Sequence, residues 1–284
     1  MKLAITGVTG NFGRAALEYL LKENYSKDNI VLIVRDKSKV KELATQGFDI
    51  REGDFNNYKQ LLLALQGVEK LLLVSTPEIN PVKRIEQHTN AIKAAKEAGV
   101  KTIAYTSAIN PDKSPLGLAH IKTEEVLKNS GLNYIILRNN YYIEAKESDI
   151  QSILEGRTIS SNIADGRFGL VLRKEYAQAA VNSLIKDFPV NRVYDLSANV
   201  VDYKEFSSSL SKVLDREVKL ENITDEEYKN SLEQFLPTEA ATLLTQTSVA
   251  IRNGAVDVVS EDFEKLLGRP VTNLDDSIRE LIKK

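Results

Sequence analysis

LAITGVTGNFGRAALEYLLKEN, residues 3–24, decides the fold. The apolar run Leu3 to Thr6 has the length and branching of a strand, and Arg14 to Asn24 carries helical spacing. Between them stands Gly7-x-x-Gly10-x-x-Gly13. Gly7 permits a sharp turn out of the strand. Gly10 removes a side chain where a pyrophosphate approaches, and Gly13 lets the helix pack close to the strand. Backbone N–H groups at the helix start then face an anion, with Thr9 and Asn11 as further donors. The spacing is wider than G-x-G-x-x-G, so the glycines alone carry little. A first strand running into a first helix is the context that points to dinucleotide binding.

That context repeats along the chain. IVLIV (30–34), FDIRE (48–52), KLLLVST (70–76), TIAYTS (102–107) and YIILR (134–138) are further strand-like runs. They are continuously apolar rather than alternating, which suits strands covered on both faces of a parallel sheet. The helical segment KRIEQHTNAIKAAKEAG (83–99) stops at Gly99, a natural C-terminal cap. Six strand–helix repeats predict an α/β protein with a Rossmann doubly wound parallel sheet over residues 1–138. After Arg138 the rhythm breaks. Residues 139–170 read as irregular, a helix is expected near 174–186, and VYDLS (193–197) reads as a strand. Residues 202–284 are helix-rich and charged, with LGRP (267–270) as a turn. Residues 139–284 are therefore read as a smaller C-terminal α/β lobe over the open edge of the sheet. Returning segments in the range 171–198 are expected to complete the sheet.

Composition narrows the function classes. Apolar residues make up 42% of 284, enough for a sizeable core. A net charge of -2 with mixed signs argues against a nucleic-acid partner, which would call for a basic face. Lys37, Lys39 and Lys41 read as a solvated helix start. The absence of cysteine excludes disulfides and thiolate chemistry. Two histidines far apart, His88 and His120, argue against a metal site. The chain runs from Met1-Lys2 into a strand too short for a signal-peptide core. No apolar run approaches the roughly 18 to 20 residues of a membrane span. A cytoplasmic protein without a membrane partner, monomer or homodimer, is expected.

The end of the second strand selects the dinucleotide. An acidic residue there accepts from the adenosine ribose, whereas an arginine accommodates a 2′-phosphate. In IVLIVRDKSK, Arg35 comes first, with Asp36 behind it and Lys39 on the next turn. A guanidinium gives bidentate, charge-assisted bonds to phosphate, so NADPH/NADP is the expected cofactor. The alternative is a solvated Arg35 with Asp36 on the ribose. Asp54, ending the third strand, suits either the adenine amino group or a helix N-cap.

These blocks together resemble the atypical short-chain dehydrogenase/reductases of the NmrA-like family, and within it the type 2 NAD(P)H:quinone oxidoreductases. GVTGNFG, LIVRD, LQGVEKLLLVST, AAKEAGVKTIAYTS, SPLGLAHIKTEEVLKNSGLNYIILRNNYY, VYDLS and LLGRPVTNL carry the likeness in that order. The resemblance implies quinone reduction with NADPH and no flavin. It places cofactor contacts at Thr6, Gly7, Thr9, Gly10, Asn11, Phe12, Gly13 and Arg35. Ser75, Thr76 and Pro77 would border the nicotinamide riboside. Leu137, Arg138, Asn139, Asn140, Tyr141, Tyr142 and Arg173 would complete the cleft. A second reading within the family is a redox sensor that binds NADP and does no catalysis.

LGLAHIKTEEVL (116–127) raises the proton question. Better-known short-chain dehydrogenases carry Tyr-x-x-x-Lys here; this chain keeps Lys122 but has Leu118 four residues earlier. Hydride delivered to an isolated carbonyl makes an alkoxide that needs a positioned acid. Hydride delivered to a quinone makes a delocalised hydroquinone anion, a far weaker base. Leu118 thus argues against a ketone reductase and suits an apolar wall beside a flat acceptor. The candidate catalytic residues are Ser107, His120, Lys122 and Tyr141, with Tyr141 and Tyr142 also offering flat faces to a ring.

Overall fold

The computed structural model describes residues 1–283. Six strands open the chain: β1 (Leu3–Thr6), β2 (Ile30–Val34), β3 (Asp49–Glu52), β4 (Lys70–Leu73), β5 (Thr102–Ala108) and β6 (Asn133–Asn139). They alternate with α1 (Asn11–Lys22), α2 (Lys41–Thr45), α3 (Tyr58–Ala64), α4 (Pro81–Glu97) and α5 (Leu118–Lys128). Next come β7 (Tyr141–Tyr142), α6 (Glu147–Leu154), β8 (Ile159–Ser161), β9 (Phe168–Val171), α7 (Arg173–Ile185), β10 (Arg192–Leu196) and β11 (Val200–Val201). The chain closes with α8 (Tyr203–Leu214), β12 (Leu220–Asn222), α9 (Asp225–Glu233), α10 (Thr238–Arg252), α11 (Asp262–Leu267) and α12 (Leu274–Ile282).

The main sheet has the order β10-β6-β5-β4-β1-β2-β3, and every neighbouring pair is parallel. Alternate residues of each strand feed opposite cores, as the two-residue strand period requires. Leu3, Ile5, Leu32, Leu72, Ile135 and Leu137 join the α1, α7 and α11 side. Ala4, Val31, Ile33, Leu71, Ile103 and Ile136 join the α3, α4 and α5 side. Covering both faces explains why the strands are apolar without alternation. Each such aliphatic side chain contributes about 1.5–3 kcal/mol on full burial. The strand order reverses between β1 and β4, and crevices at such a switch point lie beyond the carboxyl ends of the strands.

Two expectations need correction. Residues 139–170 are not irregular: they hold β7, α6, β8 and β9. Those strands run two to four residues and α6 eight, too short for periodicity to register, yet Ile150, Ile153, Phe168 and Leu170 anchor the second core. The strand expected at 70–76 stops at Leu73. Beyond it the backbone leaves the sheet, because three successive N–H groups find side-chain acceptors instead. Val74 N donates to Thr6 Oγ1, Ser75 N to Thr106 Oγ1 and Thr76 N to His88 Nε2, at 2.9, 2.9 and 3.0 Å.

The C-terminal elements are fastened to α7 by a buried carboxylate. Glu175 accepts from Arg269 Nη1 at 2.6 Å, Thr272 N at 3.1 Å and Thr272 Oγ1 at 3.0 Å. No helix of the described residues is long and apolar enough to cross a membrane.

Candidate functional site

A cleft of about 810 Å³ opens at the switch point. Its floor is the loop after β1. Gly7 takes φ +71°, a left-handed conformation that favours glycine, and Gly10 N closes the turn onto Gly7 O at 2.9 Å. A Cβ on Gly13 would stand 2.4 Å from Gly7 O, so only glycine lets α1 sit this close to the loop. α1 begins without a side-chain cap, so its first N–H groups stay open toward the cleft. Thr6, Gly7, Thr9, Gly10, Asn11 and Phe12 all line it, while Gly13 supports from behind.

The far wall comes from β2 and β3. Arg35, Gly53, Asp54 and Phe55 line the cleft there. Asp36 turns away: its carboxylate accepts from Ser38 N at 2.9 Å, and that bond holds its pKa below the usual carboxylate range. Arg35 is thereby the residue at this strand end facing the cleft. Asp54 does not cap α3; Asn57 does, accepting from Gln60 N at 3.1 Å. One Asp54 oxygen accepts from Asn56 N at 2.9 Å.

The near wall is Val74, Ser75, Thr76 and Pro77, held by the three side-chain acceptors described above, with Thr106 beneath. Thr76 Oγ1 and Gln87 Oε1 are buried here without a partner. Buried polar atoms are nearly always satisfied, so these two ask for a polar ligand. From the lobe come Tyr142 and Arg173. The Arg173 guanidinium lies 5.2 Å from the Tyr142 ring centroid, and both Glu144 oxygens accept from Arg173 N. An uncapped helix start, a glycine-lined floor, a guanidinium at the second strand end and two orphaned polar atoms fit a phosphorylated dinucleotide.

Several expected residues stand elsewhere. Leu137 is fully buried in the sheet. Arg138 is bound to Glu124 through Nε at 2.9 Å and Nη2 at 2.7 Å. Asn139 donates to the Tyr142 hydroxyl, and Asn140 donates to Ser197 Oγ and Val256 O. Tyr141 packs against the second core. Of Leu137 to Tyr142, Tyr142 alone lines the cleft.

The catalytic candidates fare similarly. Ser107 Oγ donates to Glu124 Oε1 at 2.7 Å, which commits its proton to the protein. Lys122 pairs with Glu125 at 2.8 Å on an exposed face, outside the lining. Leu118 is 48% exposed and also outside it, so the apolar wall expected there is absent. Tyr141 has its phenol pKa pushed up by burial. His120 is buried, with Nε2 3.1 Å from Arg84 Nη2 and Nδ1 2.9 Å from the Tyr105 hydroxyl. Burial, and then the Arg84 charge, push its pKa down to about 3, so it carries no proton to give near neutrality.

Sequence reasoning missed Thr106, Gln87 and Arg84. Arg84, Gln87 and His88 share one face of α4 at i, i+3 and i+4. Three polar residues clustered on the packed side of a helix were the available signal.

The NAD(P)H-binding family model matches residues 7–184, more than half of the chain. The chain belongs to the NAD(P)H-binding family. Among curated relatives of this family member, quinone oxidoreductase 2 of Escherichia coli is 37% identical over 283 residues, spanning 98% of each chain. Two solved structures cover nearly all of it. One is an NADPH-dependent quinone oxidoreductase from Escherichia coli complexed with NADPH: TM-score 0.91, 35% identity, 99% of each chain. The other is the Citrobacter triphenylmethane reductase complexed with NADP(H): TM-score 0.91, 33% identity, 99% of this chain and 100% of that one.

Proposed function

We propose that the protein is an NADPH-dependent reductase of quinones that works by direct hydride transfer without a flavin. The observation that carries this is the cleft: a glycine floor under an uncapped helix start, with Arg35 rather than a free carboxylate at the second strand end. Full-length likeness to quinone oxidoreductase 2 supports the acceptor class. In this reading Gly7 to Phe12 hold the diphosphate, Arg35 takes the 2′-phosphate, and Ser75 to Pro77 flank the nicotinamide end. Thr76 Oγ1 and Gln87 Oε1 supply polar contacts there.

The bound reduced nicotinamide supplies the hydride. The protein's share is to orient a flat acceptor against it and exclude water, which is worth several orders of magnitude in rate. Tyr142, Phe55, Val74 and Ile79 give apolar surface for that. The immediate product is a hydroquinone anion, which takes its proton from water. No strong acid faces the cleft, and this chemistry requires none.

Decay of NADPH absorbance with a small quinone and purified protein, no flavin added, tests the proposal. Steady turnover supports it. No turnover, together with tighter binding of NADP+ than NADPH, refutes it in favour of a redox sensor.

A further inference from the structure

Arg84 is a mostly buried cation with no carboxylate acting on it, and its Nε–H has no partner. A desolvated guanidinium without an anion is an expensive arrangement. It is held nonetheless by two acceptors. Nη2 meets His120 Nε2 at 3.1 Å and donates to Ser75 Oγ at 3.2 Å. His120 can accept only as a neutral imidazole with its proton on Nδ1, and that proton is directed at the Tyr105 hydroxyl at 2.9 Å. The network orders Arg84 from behind and points it at Ser75.

Ser75 lines the cleft wall. A serine hydroxyl has one proton and two acceptor positions. Arg84 fills an acceptor position, and among the described residues nothing takes the proton. The contrast with Ser107, whose proton is committed to Glu124, is direct.

The geometry points to Ser75 as the hydrogen-bond donor to the acceptor's oxygen, with Arg84 as the positioning residue that polarises it. This rests on the reading of the cleft as a quinone reductase site. As the hydride and its electron pair reach the quinone, negative charge gathers on the ring oxygen. Ser75 O–H bonds to that oxygen and keeps its proton; the anion is later protonated by water, giving hydroquinone and NADP+. The guanidinium strengthens the donor without entering the cleft, as preorganised dipoles do at developing oxyanions.

The test uses Ser75→Ala, Ser75→Thr and Arg84→Ala, with two readouts. The first is kcat/KM across quinones whose hydroquinones differ in acidity. The second is the ionisation of a nitrophenol bound to the NADP+ complex, followed by absorbance. Ser75→Ala is expected to lower kcat/KM by about 10- to 100-fold, the range of one hydrogen bond to a charged group. The loss is largest for the least acidic hydroquinones, and the bound phenol ionises at higher pH. Ser75→Thr keeps most of both. Arg84→Ala moves both the same way by a smaller factor, and added guanidinium restores them. If wild type turns over quinones while Ser75→Ala keeps its rates and the phenol's ionisation within about 2-fold, less than one such hydrogen bond, the Ser75 assignment is overturned and the quinone reading stands. If wild type binds NADPH and reduces no quinone, the quinone reading falls and takes the assignment with it.

Discussion

Replacing Arg35 with alanine removes the cation at the end of β2 and leaves the cleft otherwise intact. Asp36 does not take over, since its carboxylate is bound to Ser38 N. A guanidinium on a 2′-phosphate makes two charge-assisted hydrogen bonds, each worth about 1.5–3 kcal/mol where shielded. Arg35 is exposed at the mouth, so solvent screening reduces the pair to roughly 2 kcal/mol in total. That corresponds to about a 30-fold rise in the Kd for NADPH. NADH, which lacks the phosphate, should move by less than about 2-fold, because no charge-assisted bond is lost. Because the bond is remote from the reacting atoms, the loss should appear in KM with kcat nearly unchanged. Titration by nicotinamide fluorescence, run at low and at physiological ionic strength, measures it. Wild type should lose NADPH affinity as salt shortens the screening length to about 8 Å, and the variant should respond far less. Equal losses for NADPH and NADH would show that Arg35 does not meet a 2′-phosphate.

Other outcomes follow from the same geometry. Gly13→Ala forces a Cβ to 2.4 Å from Gly7 O; a stability loss of about 1–3 kcal/mol in urea unfolding and weaker cofactor binding are expected, and an unchanged midpoint would contradict the close approach. His88 and His120 are both pushed down to about 3 from 6.5, chiefly by burial. The folded state keeps them neutral while the unfolded chain takes up protons. The stability they contribute is therefore complete above about pH 6.5 and is lost as pH falls toward 3, by up to about 1.4 kcal/mol per unit for each. Urea midpoints at pH 7 and 5.5 should differ in wild type and differ less in His88→Asn; equal differences would count against the assignment. Leu118→Tyr should leave quinone turnover unchanged, since residue 118 is exposed outside the cleft; a large gain would mean that position reaches the acceptor.

The sheet was legible in the sequence because its strands are buried on both faces and lie in chain order. The turn at the phosphate loop was legible for a different reason: Gly7 and Gly13 are demanded by backbone conformation and close contact, which are local properties. What could not be read depends on distant partners. The strand at 70–76 ends early because Thr6, Thr106 and His88 capture its amides, and those residues lie 68, 31 and 12 positions away. Ser107 and Lys122 sit where a dehydrogenase pattern places catalytic groups. Yet Glu124 and Glu125, neighbours on one helix, claim the first and pair with the second. A motif gives the position of a side chain along an element and not whether its hydrogen bonds are already taken.

The three captured amides at Val74, Ser75 and Thr76 have a consequence for how a ligand arrives. A segment beyond the end of its strand would ordinarily be mobile, and ordering it on binding would subtract from affinity. Here each amide has its acceptor in place beforehand, so this wall enters the encounter already ordered. Its amides should exchange with deuterated solvent slowly with or without cofactor, although they belong to no sheet ladder. Binding should then be limited by diffusion and charge at the mouth rather than by a closing step along this wall.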